Sequence, residues 1–229
     1  MCVAESFHLL REALRSFRRV DAVLASESAQ RVIEEEFEGE NLNIALVPEQ
    51  LFKTIAATES SQGLIALVEP PTWTIDQLFT TRGLVVILDG IQDPGNAGTI
   101  VRTAEAFAAS GVMFLKGSVS PFNSKTLRAS AGSLFRVPFV AALESTIARA
   151  ALQQNRFRIF AAMPHEGTGE RPKLQRPCAL VIGNEGRGVS ADFRSLAEPI
   201  SIPTAGVESL NASIAAAILL YEAYRDESI

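Results

Sequence analysis

Cysteine is scarce: 229 residues contain two, Cys2 and Cys178, with no spaced pair. That excludes a disulfide framework and a cysteine-based zinc site, and no metal is expected. No apolar run reaches the roughly 18 residues that a bilayer span requires. The opening MCVAESFHLLREAL has no basic segment followed by an apolar one, so it does not read as a secretory signal. A soluble, cytoplasmic, membrane-free protein is the expectation. No glycine-rich turn ends in Gly-Lys-Ser/Thr, which argues against a phosphate-cradling loop. No Gly-x-Gly-x-x-Gly follows the first apolar run of the second half, which argues against an ordinary dinucleotide-dependent oxidoreductase. Internal repeats and low-complexity tracts are also missing.

Hydrophobic residues make up 47% of the chain and mean hydropathy is +0.17, enough to bury a core in one or two domains. Charged residues make up 21%, too few for a disordered polyelectrolyte. The net charge of −5 taken alone weighs against a nucleic-acid partner. Its distribution is uneven. Residues 1–72 carry six Arg/Lys against twelve Asp/Glu, and residues 73–229 carry fifteen against fourteen. The second part has room for a local basic patch.

The stretch VEPPTW at 68–73 reads as a linker, because paired prolines continue neither a helix nor a central strand. Two domains follow, residues 1–72 and 73–229. In the first, helical patterns (ESFHLLREALRS, SAQRVIEEEFE, PEQLFKTIAA) alternate with short apolar runs (DAVLAS, NIALVP, GLIALVEP). That is the pattern of a small α/β unit. In the second, LVVILD, VMFLKG, VPFVAA, RIFAAM, CALVIGN and ISIPT read as about six parallel strands. Helices are expected over TIVRTAEAFAAS, SKTLRASAGSLF, 144–155 and 209–225. The fold class is α/β, with a parallel sheet between helices in the second domain.

Three of those strands run into turns rich in Gly, Asn and Pro: LDGIQDPGNAGTIVR, VIGNEGRGVS and IPTAGVESLN. In open parallel sheets, ligands sit beyond the carboxyl ends of the strands. Glycine lets backbone approach a ligand closely. One such turn is equally well a tight connection, whereas three in one domain point to a site assembled from loops.

Taken together, the three turns resemble the motifs of the SpoU–TrmH family of knotted RNA 2′-O-ribose methyltransferases. The first motif is matched by Asn96, Gly98 and Arg102, the second by IGNEGRGVS from Gly183 to Ser190, and the third by IPTAGVESLNASIAAAILLYE. All three stand in family order at family-like spacing across about 89–225. The first seventy residues resemble the small substrate-binding domain that often precedes this catalytic domain, and CVAESFHLLREAL is similar to its opening helix.

The resemblance implies a deep trefoil knot at the carboxyl end, a homodimer formed through the catalytic domain, and S-adenosylmethionine as methyl donor. The substrate it implies is RNA, ribosomal or transfer. It assigns Gly183, Asn184, Gly186, Ile202, Leu210 and Ala162 to the donor, and Arg102, Asn96, Glu185, Ser209 and Asn211 to the reaction. A guanidinium stays protonated, so Arg102 suits an oxyanion or a phosphate better than it suits the role of a base. Its plain alternative is a surface ion pair with Glu105. Asn96 is expected to cap its helix, Ser209 and Asn211 to cap the next, and Glu185 to accept from Asn96 or Arg102. Lys125, Arg128, Arg136 and Arg187, with Arg171, Lys173 and Arg176, are candidates for phosphate contact. His165, His8 and Cys178 read as an exposed loop histidine, a surface histidine and a small buried residue. Trp73 is expected to pack one domain against the other. A non-catalytic RNA-binding or assembly factor with the same fold is the alternative function.

Overall fold

The computed structural model describes residues 1–58, 61–164 and 173–227. The first domain runs β1 (Cys2–Ala4), α1 (Phe7–Arg15), β2 (Val20–Ser26), α2 (Gln30–Glu36), β3 (Ile44–Val47), α3 (Glu49–Ile55) and β4 (Leu64–Val68). Its four strands are ordered β1-β4-β2-β3, with β4 antiparallel to both neighbours and β2 parallel to β3. The helix read over ESFHLLREALRS is present as Phe7–Arg15, but the preceding CVA, likened to the opening helix, is a strand. Cys2–Ala4 pairs with Ala66–Val68, and the helix begins only after Ser6, whose hydroxyl accepts from the Leu9 amide at 3.1 Å. Three residues are too few to show a strand period, and the pairing partner lies some sixty residues away.

The second domain runs β5 (Leu84–Asp89), α4 (Pro94–Ala106), β6 (Gly111–Leu115), α5 (Ser124–Ala129), β7 (Phe139–Leu143), α6 (Ser145–Gln154), β8 (Arg158–Ala162), β9 (Cys178–Gly183), α7 (Ala191–Arg194), β10 (Glu198–Ile200) and α8 (Ala212–Glu227). The strands form one parallel sheet in the order β10-β8-β9-β5-β6-β7. Burial on both faces explains their continuous apolar runs. Along β5, Leu84, Val86 and Leu88 face α4 and α8, while Val85 and Ile87 face α6 and α7. All five are fully buried, each worth roughly 1.5–3 kcal/mol relative to exposure. The core on the α4 side continues without interruption into the first domain, through Leu9, Leu10 and Ala66. Cys178 is buried within it, and Trp73 packs against it with the Arg18 guanidinium 5.8 Å from its ring centre.

Three further expectations are corrected. The helix read over 124–135 breaks at Ala131 and Gly132, both at positive φ (49° and 91°), and resumes as a single 3-10 turn, Ser133–Phe135. The last strand lies at Glu198–Ile200, ahead of most of ISIPT. The last helix starts at Ala212, leaving Ser209 to Asn211 in the preceding loop. No helix among the described residues is long and apolar enough to cross a membrane.

Candidate active site

Sheet register brings the loops together. β5 and β9 lie side by side, and their last rung pairs Asp89 with Gly183. The turn after β5 and the turn after β9 therefore leave the sheet at one level. β10 pairs with β8 so that Ala162 stands beside Ile200, and the third loop departs there.

Side chains then staple the loops. The Asp89 carboxylate accepts from the Ser190 amide at 2.7 Å. The Asn184 side chain donates to the Gly90 carbonyl at 2.8 Å and accepts from the amides of Gly186 and Arg187. Asn184 and Gly188 exchange both backbone hydrogen bonds, which folds the second turn back on itself. That fold requires glycine at 183, because a Cβ there would lie 2.3 Å from the Gly188 carbonyl carbon and the Val189 nitrogen. Ser118 supports the first turn, accepting from the Gly90 amide and donating to the Leu88 carbonyl.

Between the second and third loops lies a cleft of about 1040 Å³. Ile182, Ile200 and Leu219 form its buried floor. Its rim is backbone and polar side chains of 183–188 and 201–211. All six residues assigned to the donor, Gly183, Asn184, Gly186, Ile202, Leu210 and Ala162, line it. An apolar floor beneath a rim of hydrogen-bonding backbone fits a nucleoside with a polar tail, and the volume is ample for one.

Beside the cleft, three loops meet in one polar chain. Asn96 donates from Nδ2 to Glu185 Oε1 at 2.8 Å, and Asn211 donates from Nδ2 to Asn96 Oδ1 at 3.1 Å. Asn211 Oδ1 accepts from the amides of Ser213 and Ile214, so this residue caps α8 as expected. Two capping expectations are corrected. The cap of α4 is Asp93, whose side chain accepts from the Asn96 amide at 2.7 Å, with Pro94 in the first turn. Asn96 is one turn inside, which frees its amide group to face Glu185 and Asn211. Ser209 caps nothing; its side chain makes no hydrogen bond among the described residues.

Arg102 is exposed on α4, about 9 Å along the axis from Asn96, with no ion pair among the described residues. The alternative pairing with Glu105 is absent, because Glu105 is bound by Arg136. Gly98 presses α4 onto α5: a Cβ there would stand 2.4 Å from the Thr126 carbonyl oxygen.

The basic candidates divide into two groups. Lys125, Lys173 and Arg187 are exposed. Arg128 donates to Glu5, whose side chain is 2% exposed, and Arg136 donates to Glu12 and Glu105. Those two arginines, expected at RNA, instead join the domains. Arg176 likewise donates to backbone carbonyls at 82, 107 and 108. His8 is exposed and contacts the Ala131 carbonyl across the same seam. His165 and Arg171 lie outside the described residues. Asp89 and Ser118 were not singled out by sequence reasoning; the signal available for Asp89 was a carboxylate ending an apolar strand. Among the described residues no cluster of His, Cys, Asp or Glu could hold a metal ion.

Family comparison decides what this geometry belongs to. The model of the SpoU rRNA methylase family matches residues 83–221, and that of the RNA 2′-O-ribose methyltransferase substrate-binding domain matches residues 6–74. The chain belongs to the SpoU rRNA methylase family. It is accordingly an RNA 2′-O-ribose methyltransferase. It is 32% identical to the Bacillus subtilis 23S rRNA (guanosine(2553)-2′-O)-methyltransferase RlmP over 95% of this chain and 86% of that one. It is similar to the SpoU methyltransferase AviRb from Streptomyces viridochromogenes in complex with AdoMet. There the TM-score is 0.88 at 26% identity, covering 99% of this chain and 90% of that one. The AdoMet-bound rRNA methyltransferase from Sinorhizobium meliloti gives a TM-score of 0.81 at 25% identity, covering 100% and 88%. Within the SpoU architecture the three stapled loops are the three sequence motifs, drawn to one place by strand register.

Proposed function

We propose that this SpoU enzyme methylates a ribose 2′-hydroxyl of ribosomal RNA, with the cleft between the second and third loops holding S-adenosylmethionine. The observation that carries the site assignment is the Asn211–Asn96–Glu185 chain, which links all three motifs at the edge of that cleft. The rRNA substrate draws support from the family model and from the B. subtilis relative.

When bound, the donor supplies a methyl group already activated on a sulfonium. Gly183, Asn184, Gly186, Ile202, Leu210 and Ala162 would hold it, chiefly through backbone and apolar surface. Asn96, Glu185 and Asn211 fix one another, so the side chains facing the reacting sugar need no reorganisation. Such prior alignment can contribute up to roughly 7–11 kcal/mol in model reactions. Ser209, with its hydroxyl uncommitted, is assigned to the same edge. Arg102 presents a protonated fork to the ribose and its phosphate and stabilises the oxyanion as it forms. Lys125 and Arg187, both exposed, contribute phosphate contacts.

Two finer features belong to the same reading. The deep trefoil knot is supported by the chain path: the 201–211 loop leaves the edge strand β10, and α8 returns to pack against α4 and β9. The homodimer draws support from apolar surface left open on α8, where Ile214 is exposed and Tyr221 and Tyr224, packed on Phe107, are partly so.

Mapping ribose methylation across cellular RNA with and without the gene tests the substrate. The expected result is loss of one resistant position in ribosomal RNA. Loss confined to transfer RNA, or no loss, would overturn the rRNA assignment.

A further inference from the structure

Arg102 and Glu105 are three residues apart on α4, the spacing at which opposite charges on a helix pair. They do not pair. Glu105 is held by a residue 31 positions away: Arg136 Nε donates to Oε1 at 2.5 Å and Nη2 to Oε2 at 3.0 Å. This fork engages both oxygens of the carboxylate. The remaining arm of Arg136, Nη1, donates to Glu12 on α1 of the first domain at 2.5 Å. Arg136 and Glu105 are each about a third exposed, whereas Arg102 is exposed outright. The Arg136 guanidinium holds the Glu105 carboxyl below the usual carboxylate range, as a committed partner should.

From this we infer that Arg136 is a positioning residue for methyl transfer: by occupying Glu105 it leaves Arg102 unpaired and available to the RNA. The inference rests on the reading of Arg102 as an RNA-contacting residue. With Arg136 removed, Glu105 keeps only its hydrogen bond with Ser133 and becomes a carboxylate without a counter-charge, one helical turn from Arg102. It competes there with the RNA phosphate for the same guanidinium and repels the phosphate itself. Arg136 does not line the cleft; its action on the reaction runs through Glu105.

The test is a set of variants in the full-length protein, read by RNA affinity against salt, single-turnover methyl transfer and donor calorimetry. Arg136→Gln is expected to weaken RNA binding and slow transfer, with donor affinity unchanged. Its log-affinity against log-salt slope should shrink by about 0.7–0.9, the signature of one lost phosphate contact. Adding Glu105→Gln to it should restore both slope and transfer, because the competing carboxylate is gone. Glu105→Gln alone should retain transfer, and Glu12→Gln should not reproduce the Arg136→Gln slope change.

A double variant as defective as Arg136→Gln would overturn the inference, as would a Glu12→Gln defect of equal size, which would mark Arg136 as a domain fastener only. Arg102→Ala separates the two levels. If it keeps full transfer and slope, the Arg102 reading itself fails. If it loses both while the double variant is not rescued, only the role of Arg136 fails.

Discussion

The seam between the domains and the cleft use arginine in opposite ways. At the seam, Arg128 and Arg136 are each engaged by carboxylates from the other domain, Glu5 and Glu12. Arg187 on the cleft's second loop and Arg102 on α4, by contrast, are exposed and have no carboxylate partner among the described residues. The seam carboxylates come from the acidic first domain, whose excess negative charge is thus partly used to neutralise the second domain rather than to face RNA. An arginine count therefore says little about RNA affinity until each guanidinium has been traced to its partner. The paired ones hold structure, and the unpaired ones remain available.

The largest effect that could break this contrast lies at Glu5. Its carboxylate is almost fully buried, with Arg128 and Thr58 as partners. Arg128→Met should destabilise the chain by about 3–5 kcal/mol in urea unfolding, because it strands a buried charge. A loss under 1 kcal/mol would mean the seam arginines are no more structural than the cleft ones. Gly183→Ala comes next, on the cleft side. Its Cβ has no room against Gly188 and Val189, so a cost of about 1–3 kcal/mol is expected. Calorimetry should show weakened donor binding as well, since the second loop must shift. Unchanged affinity would remove that loop from the donor site.

These two positions also show what the sequence made legible. Gly183 stands out because it ends an apolar strand inside a glycine-rich motif, a local pattern. Five of the six strands of the second domain are equally local, as runs such as LVVILD and CALVIGN, whereas the three-residue β10 is not. Pairings across distance are not. Arg128 meets Glu5 over 123 residues and Arg136 meets Glu12 over 124, so both arginines read as candidates for phosphate contact. Glu105 looked like a partner for Arg102 because the two are neighbours on one helix. Asp89 escaped notice since its partner, the Ser190 amide, is 101 residues away. Cys2–Ala4 is a strand only because β4 lies beside it.

A smaller effect sharpens the contrast within the cleft. Asn211 both caps α8 and reaches Asn96. Asn211→Ala should cost about 1 kcal/mol of stability, read as a few degrees in Tm. Transfer should fall further than that loss explains, because the loop network is cut; a fall proportional to stability would reduce Asn211 to a cap. The smallest effect is the pH dependence of the seam. Arg136 holds the Glu105 carboxyl below its usual value. The stabilisation is therefore present above the ordinary carboxylate range and lost as pH falls through the lowered value. The Tm gap between wild type and Glu105→Gln should close on acidification; a gap that widens would reverse the sign.

Arg102→Ala, measured for methyl transfer at saturating donor alongside donor calorimetry and unfolding, addresses the unpaired α4 arginine directly. The expected outcome is a fall of about 10²–10³-fold in transfer, with stability within ~0.5 kcal/mol of wild type and donor affinity unchanged. Transfer at the wild-type rate, or a loss of donor affinity in step with the lost turnover, would contradict the assignment of that unpaired guanidinium to the RNA.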